Sequence, residues 1–254
     1  MHSEQSEGSV VTQLRQARHV LVFTGAGVSA ESGIATFRDA LTGLWTHFRA
    51  EDLATSEGFR RDPELVWGWY EARRAQVLRA QPNPAHRAIA TLGGQVPKVT
   101  VITQNVDDLH ERAGSAGVVH LHGSLHAPRC ASCGAPYNLP ALPFDAMPRE
   151  GRLAPPRCVH CGGLVRPGVV WFGEMLPERD LGAAQKAALA ADLMLCVGTS
   201  GVVWPAAGLP GLAREAGATV VQVNAYASEL DALCQHNLRG PAGEVLPRLL
   251  AAAF

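Results

Sequence analysis

Short apolar runs alternate with longer segments of helical period along this chain. Val20–Phe23, Lys98–Thr103, Val118–Leu121, Leu193–Val197 and Thr219–Val223 are dense in Val, Ile and Leu, with little polar alternation. Runs of that length and kind predict strands buried on both faces, as in a parallel sheet. Between them the apolar spacing changes to that of helices, at Val10–Arg18, Glu64–Leu78, Pro84–Leu92, Pro177–Ala191, Pro205–Ala216 and Val245–Ala253. Two of these carry explicit start signals: Asp62-Pro63 and Asn83-Pro84 each place a capping side chain before a proline at the first helical position. On Glu64–Leu78, the residues Leu65, Val66, Trp69 and Val77 form the expected apolar side. Val169–Phe172 reads as a return of the sheet pattern after a long interruption. Strands alternating with helices predict an α/β fold with a doubly wound parallel sheet.

Small and polar residues stand at the strand ends. The first strand empties into Gly25-Ala26-Gly27-Val28-Ser29-Ala30, the second into Gln104-Asn105-Val106-Asp107-Asp108, and the third into His122-Gly123. Ligands of doubly wound sheets sit at the carboxyl ends of strands, so these three ends are expected to line one crevice. Gly-x-Gly-x-x-Ala after a strand opens a dinucleotide site in a Rossmann-like sheet. Gly25 would permit the turn, Gly27 a close approach of pyrophosphate, and Ala30 close packing of helix on strand. The continuation departs from a hydride-transfer enzyme. The chain breaks at Glu31-Ser32-Gly33 and enters a loop ending Thr36-Phe37-Arg38-Asp39, with no second strand and ribose-binding acid about 20 residues on.

The stretch from Ser124 to Arg166 is rich in proline and poor in either periodicity, and it holds four of the six cysteines. Cys130-x-x-Cys133 and Cys158-x-x-Cys161 are separated by 24 residues. Two such knuckles bring four thiolates to one point, the tetrahedral donor set of zinc. Four thiolates close the coordination shell, so the expected Zn²⁺ is structural. Cys196 lies within an apolar strand and is read as core, and Cys234 as an ordinary thiol. The segmentation is then a Rossmann-like domain in three parts, 1–36, 96–124 and 168–254. A helical and cofactor-loop insertion spans 37–95, and a small zinc-binding domain 125–167.

Composition narrows the partners. The 254 residues carry a formal charge of −1, so no basic face for nucleic acid is advertised. Residues 1–9 lack a signal pattern, and no apolar run approaches the ~18 residues of a membrane span. Paired cysteines without a leader point to metal rather than disulfides. A cytoplasmic monomer, with neither nucleic-acid nor membrane partner, is the expectation.

The motifs, taken in order, resemble one family. GAGVSAESGIATFRD from Gly25, TQNVDDLHERAG from Thr103, HLHG from His120, the two Cys pairs, PGVVWFGE from Pro167, Gly198-Thr199-Ser200 and the late Asn224 are similar to the sirtuins over nearly the whole chain. The resemblance implies NAD-dependent removal of acyl groups from protein lysines, giving nicotinamide, 2′-O-acyl-ADP-ribose and free lysine. It implies that NAD is a co-substrate. It makes His122 the general base for a ribose hydroxyl, with His120 as structural support. Asn105 and Asp107 would handle the nicotinamide amide and ribose, and Gln104 would contact the ribose. Gly25, Ala26, Gly27 and Ala30 would hold pyrophosphate. Thr36, Phe37, Arg38 and Trp45 would belong to the loop closing over NAD. Gly198, Thr199, Ser200, Asn224 and Ala242 would lie on the adenosine side. Val169, Val170, Trp171, Phe172, Gly173 and Glu174 would pair with an acyl-lysine peptide as an added strand.

One helix refines the substrate. Tyr70 and Arg73 are three apart and share a face. By periodicity alone this is a solvated arginine beside an aromatic core residue. Together with Ala54, the pair is similar to the sirtuin branch that removes succinyl, malonyl and glutaryl groups. There the Tyr and Arg bind the acyl carboxylate, and the planar fork of arginine suits that group. Deacetylation is expected beside it. A deacetylase with little acidic-acyl activity and a protein ADP-ribosyltransferase remain as alternatives, and an oxidoreductase or a zinc-ribbon binding module as rivals from outside the family.

Overall fold

The computed structural model of the chain describes residues 2–34, 50–139 and 151–254. Helix α1 (His2–Gln16) leads into strand β1 (His19–Thr24). A 3-10 turn over Ala26–Ser32 comes next, not an α-helix. After it stand α2 (Ala50–Leu53), α3 (Ser56–Arg61), α4 (Pro63–Arg79) and α5 (Pro84–Leu92). Asp62 and Asn83 cap α4 and α5 with their side chains, as the two Asx-Pro signals predict. The remaining elements are β2 (Lys98–Thr103), α6 (Leu109–Arg112), β3 (Val119–His120), β4 (Arg129–Cys130), β5 (Val165–Arg166), α7 (Glu178–Ala190), β6 (Leu193–Val197), α8 (Leu209–Glu215), β7 (Thr219–Asn224), β8 (His236–Arg239) and α9 (Ala242–Ala253).

Six strands form one parallel sheet in the order β3-β2-β1-β6-β7-β8. Without the short antiparallel β4–β5 pair, this is the 3-2-1-4-5-6 order of a Rossmann-type sheet, whose direction of winding reverses between β1 and β6. The pleat sorts the strand side chains into two cores. Val20 and Val22 of β1, with Leu193, Leu195 and Val197 of β6, face α1, α5 and α9. Leu21 and Phe23, with Met194 and Cys196, face α7 and α8. Each of these is fully buried, which is why the runs read as continuously apolar. A third core lies off the sheet, where α2, α3 and α4 pack with Val169 and Trp171.

Four expectations are corrected. The helix predicted at Val10–Arg18 begins at His2, because Glu7 pairs with Arg248 and Ser6 bonds His236, so contacts with α9 and β8 order the polar end. The run Val169–Phe172 joins no sheet and makes single bridges, Val169 with Gly123 and Phe172 with Thr55. Ala30 is exposed, because a 3-10 turn carries it away from the strand. Cys234 is no isolated thiol. It packs beside Cys196 in the α7–α8 core.

Candidate active site

The winding reversal brings the end of β1 against the end of β6. The Gly25 amide donates to the Val197 carbonyl at 3.1 Å, and the Gly27 amide to that of Gly198 at 2.8 Å. A Cβ on Gly27 would stand 2.8 Å from the Gly198 backbone. One on Gly198, whose φ is +61°, would stand 2.3 Å from the Val28 nitrogen. These glycines are therefore required first by the contact between two strand ends, before any ligand arrives.

A row of side chains crosses the same edge. Gln104 Nε2 donates to Thr199 Oγ1 at 2.8 Å, and Asn224 Nδ2 donates to the Thr199 carbonyl at 2.9 Å. This joins the ends of β2, β6 and β7, three of the positions expected to meet a nucleotide. Ser200 lies exposed beside Thr199, and Ala242 opens α9, where Glu31 accepts from the Gly243 amide at 2.7 Å.

The histidines after β3 occupy contrasting surroundings. His122 is half-buried, and its Nδ1 lies 2.9 Å from the Gln104 carbonyl. A carbonyl can only accept, so Nδ1 carries the hydrogen and the lone pair of the neutral ring sits on Nε2. Burial lowers the His122 pKa, against the raising effect of that carbonyl. His120 has both nitrogens engaged, Nδ1 with the Asn105 carbonyl at 3.1 Å and Nε2 with Glu111 at 2.7 Å. Burial disfavours its charge too, but Glu111 and the carbonyl prevail and raise its pKa. The two imidazoles are thus shifted in opposite directions by their surroundings. Beside them Asn105 and Asp107 are 7% and 5% exposed. Burial raises the Asp107 pKa, opposed by hydrogen bonds from the Leu109 amide and Ser29.

The loop Val169–Glu174 is held from beneath. Arg166 bonds both Glu174 oxygens, at 2.5 and 3.0 Å, and stacks 3.5 Å over the Trp171 ring. Ser56 and the Trp171 amide also donate to Glu174. Burial disfavours the Glu174 charge, but these donors outweigh it and bring its pKa to about 2. The Val170 amide bonds the His122 carbonyl at 2.8 Å, and that of Phe172 bonds the Ala54 carbonyl at 2.9 Å. Trp171 Nε1 donates to the Tyr70 hydroxyl at 3.0 Å. Ala54, Tyr70, Val169 and Trp171 therefore share one core. Arg73 is half-buried and not the solvated side chain that periodicity alone suggests. Its Nη1 is buried, and its guanidinium lies 5.0 Å from the Trp69 ring centre. Burial lowers its pKa, against the raising effect of Tyr70 and Asp107. Sequence reasoning missed Arg166, because one basic residue beside a proline shows nothing of a partner eight positions on. Thr36, Phe37, Arg38 and Trp45 lie outside the described residues.

The four paired cysteines converge. Their sulfurs all lie within 4.8 Å of one another, with Cys130–Cys161 at 3.4 Å and Cys133–Cys158 at 3.7 Å. A tetrahedron with Zn–S bonds of about 2.3 Å has edges of about 3.8 Å, so the set fits zinc. Each Cys-x-x-Cys turns through a left-handed glycine, Gly134 and Gly162, both at φ +72°.

A Rossmann-type sheet, a half-buried histidine at the strand ends and a closed four-thiolate centre define the class of nucleotide-dependent enzymes with a structural zinc. The defining pattern of the Sir2 family matches residues 25–205, and the chain belongs to that family, the sirtuins. It is 60% identical over 243 residues to the NAD-dependent protein deacylase of Methylococcus capsulatus, covering 96% of this chain and 95% of that one. It is 62% identical over 247 residues to NAD-dependent protein deacylase 1 of Pseudomonas aeruginosa, covering 97% and 98%. A solved Sir2 homologue–NAD complex superposes with a TM-score of 0.88 at 44% identity, over 97% of this chain and 93% of the other. Sir2Af2 bound to a myristoylated histone peptide superposes at 0.77 and 36% identity, over 98% and 97%. The chain is thus an enzyme of the NAD-dependent protein deacylase class.

Proposed function

We propose that this deacylase removes acidic acyl groups of the succinyl and malonyl kind from protein lysines, together with acetyl. The observation that carries the reading is the Tyr70–Trp171 hydrogen bond. It ties the helix bearing Tyr70 and Arg73 to the loop expected to receive the acyl-lysine, with Ala54 in the same core. The Tyr70 oxygen accepts from Trp171, which leaves its own hydrogen to donate to a carboxylate. Arg73 brings a cation to the same helix face within a low-dielectric core, where the fork of a guanidinium suits a carboxylate and a neutral acetyl group offers it nothing.

NAD, when bound, supplies the ribose carbon that accepts the acyl oxygen and the nicotinamide that leaves. The chain's own residues do the rest. His122 takes the proton of a ribose hydroxyl at Nε2, its Nδ1–H being held by Gln104. Asn105 and Asp107 orient the nicotinamide end. Gln104, Thr199 and Asn224 hold the ribose and adenosine side as one connected row, with Ser200 and Ala242 beyond it. Gly25, Ala26, Gly27 and Ala30 hold pyrophosphate. The substrate peptide adds as a strand along Val169–Glu174, reading main chain more than sequence.

The test compares NAD-dependent removal of succinyl and acetyl from one lysine peptide by the parent enzyme and by Arg73→Met. The succinyl activity is expected to fall far more than the acetyl activity. Equal loss of both rejects the role of Arg73. Product mass spectrometry for 2′-O-succinyl-ADP-ribose checks the chemistry directly.

A further inference from the structure

The roles above leave unexplained what holds Asn105. Two histidines lie beneath the strand ends, His86 on α5 and His110 on α6, 0% and 1% exposed. Their rings meet edge to face with centres 4.9 Å apart. Each anchors a short hydrogen-bonded chain, and both chains end on Asn105. In the first, Thr24 donates its hydroxyl hydrogen to Thr103 Oγ1 at 2.8 Å. With that hydrogen spent, Thr24 can only accept from His110 Nε2, 3.0 Å away. Thr103 Oγ1 in turn accepts the backbone amide of Asn105 at 3.0 Å. In the second, Ser29 donates to Asp107 at 3.0 Å, and so accepts from Asn105 Nδ2 at 3.0 Å and from His86 Nε2 at 3.4 Å.

Both imidazoles therefore carry their hydrogen on Nε2, and each Nδ1 is buried without a hydrogen-bond partner among the described residues. An unpartnered buried nitrogen is costly, and an apolar side chain would fill either place without that cost. What an imidazole supplies here, and a leucine does not, is the Nε2–H donor that holds the Thr24 oxygen in place against Thr103 Oγ1. Without that donor the Thr24 hydroxyl is free to turn, and the Thr103 oxygen that accepts the Asn105 amide loses the contact that fixes its rotamer.

We propose that His110, acting through Thr24 and Thr103, is a positioning residue. It fixes the backbone of Asn105 and with it the aim of the Asn105 amide at the nicotinamide end of the co-substrate. The inference rests on the assignment of Asn105 made above.

Four variants test it, each read by the KM for NAD, inhibition by free nicotinamide and the KM for the acyl peptide. His110→Leu is expected to raise the NAD KM and weaken nicotinamide inhibition by about tenfold, the worth of one well-made hydrogen bond, with the peptide KM within about twofold of the parent. His110→Gln places an amide N–H near the lost Nε2–H and is expected to return both values to within about threefold. Parent values in a folded His110→Leu, or equal impairment in the Leu and Gln variants, overturn the relay. If His110→Leu does not fold, Thr24→Val, which keeps the shape and removes the hydroxyl, is read by the same criteria. Asn105→Ala separates the two assignments. Unchanged nicotinamide inhibition in that variant overturns both, whereas altered inhibition there with parent values in the His110 and Thr24 variants overturns the relay alone.

Discussion

His120 and His122 stand two residues apart at the end of one strand and titrate in opposite directions. The reason is local. A carboxylate reaches His120, whereas burial dominates at His122 and only a carbonyl opposes it. Because the His122 pKa is lowered, its imidazole, the base proposed above, stays neutral into mildly acidic solution. The acid limb of kcat/KM for the free enzyme is therefore expected below pH 6.5, as a pH–rate profile will show. His122→Asn is expected to cut turnover by about 10²- to 10⁴-fold while NAD still binds, measured by single-turnover kinetics against calorimetry. At Tyr70, removal of the hydroxyl as Tyr70→Phe is expected to weaken succinyl-peptide binding by about 1.5–3 kcal/mol with little effect on acetyl peptide. The four thiolates are legible because they sit in short local motifs. The ties Tyr70–Trp171 and Arg166–Glu174 are not, since nothing in a sequence pairs an indole with a phenol 101 positions away.

At the scale of elements, the Gly25–Gly27 turn and the Gly198 turn act as one piece. Gly198→Ala would force a left-handed alanine into the Val28 backbone. It is expected to cost at least about 2 kcal/mol, or about 4–8 °C in Tm, together with NAD affinity, measured by calorimetry. The strands that cross the middle of the sheet were readable, because burial on both faces demands apolar side chains throughout. Strand β8 was not. It offers only Leu238 to the core, while Asn237 accepts from Gln222 at 2.8 Å. A strand held by polar pairing at a sheet edge carries no apolar run to detect. The run Val169–Phe172 misled for the opposite reason. Val169 and Trp171 fill the third core while Phe172 stays exposed, so the hydrophobicity of the run reports packing and not membership of the sheet.

For the molecule as a whole, buried chemistry sets two responses. Burial depresses His86 to about 4 and His110 to about 3. The unfolded chain binds protons near pH 6.5 that the folded one refuses, so their contribution is complete above that pH and declines as pH falls toward 4. One such histidine is worth on the order of 3 kcal/mol. Glu174 adds a further loss below pH 4.5, because its donors stabilise only the carboxylate. His120 runs the other way, stabilising below pH 6.5 and losing its contribution as pH rises. Thermal melts from pH 7 to pH 4 are expected to show a steep fall in Tm. Zinc is the second response. Metal binding by four thiolates is folding energy for the β4–β5 module, so a strong chelator is expected to abolish activity and lower Tm, with both restored by zinc. Among the described residues no helix is long and apolar enough to cross a membrane.

By itself the sequence determined the central strands, the two Asx-Pro helix starts, the zinc ligands and the ordered motifs of the family. Each depends on residues close together, where periodicity, capping and ligand spacing act directly. Tertiary structure alone decided that Gly27 is needed by Gly198, that Arg73 is half-buried with its Nη1 enclosed, and that His86 and His110 lie under Asn105. Those facts arise from segments that meet only when the sheet reverses its winding and brings distant strand ends together.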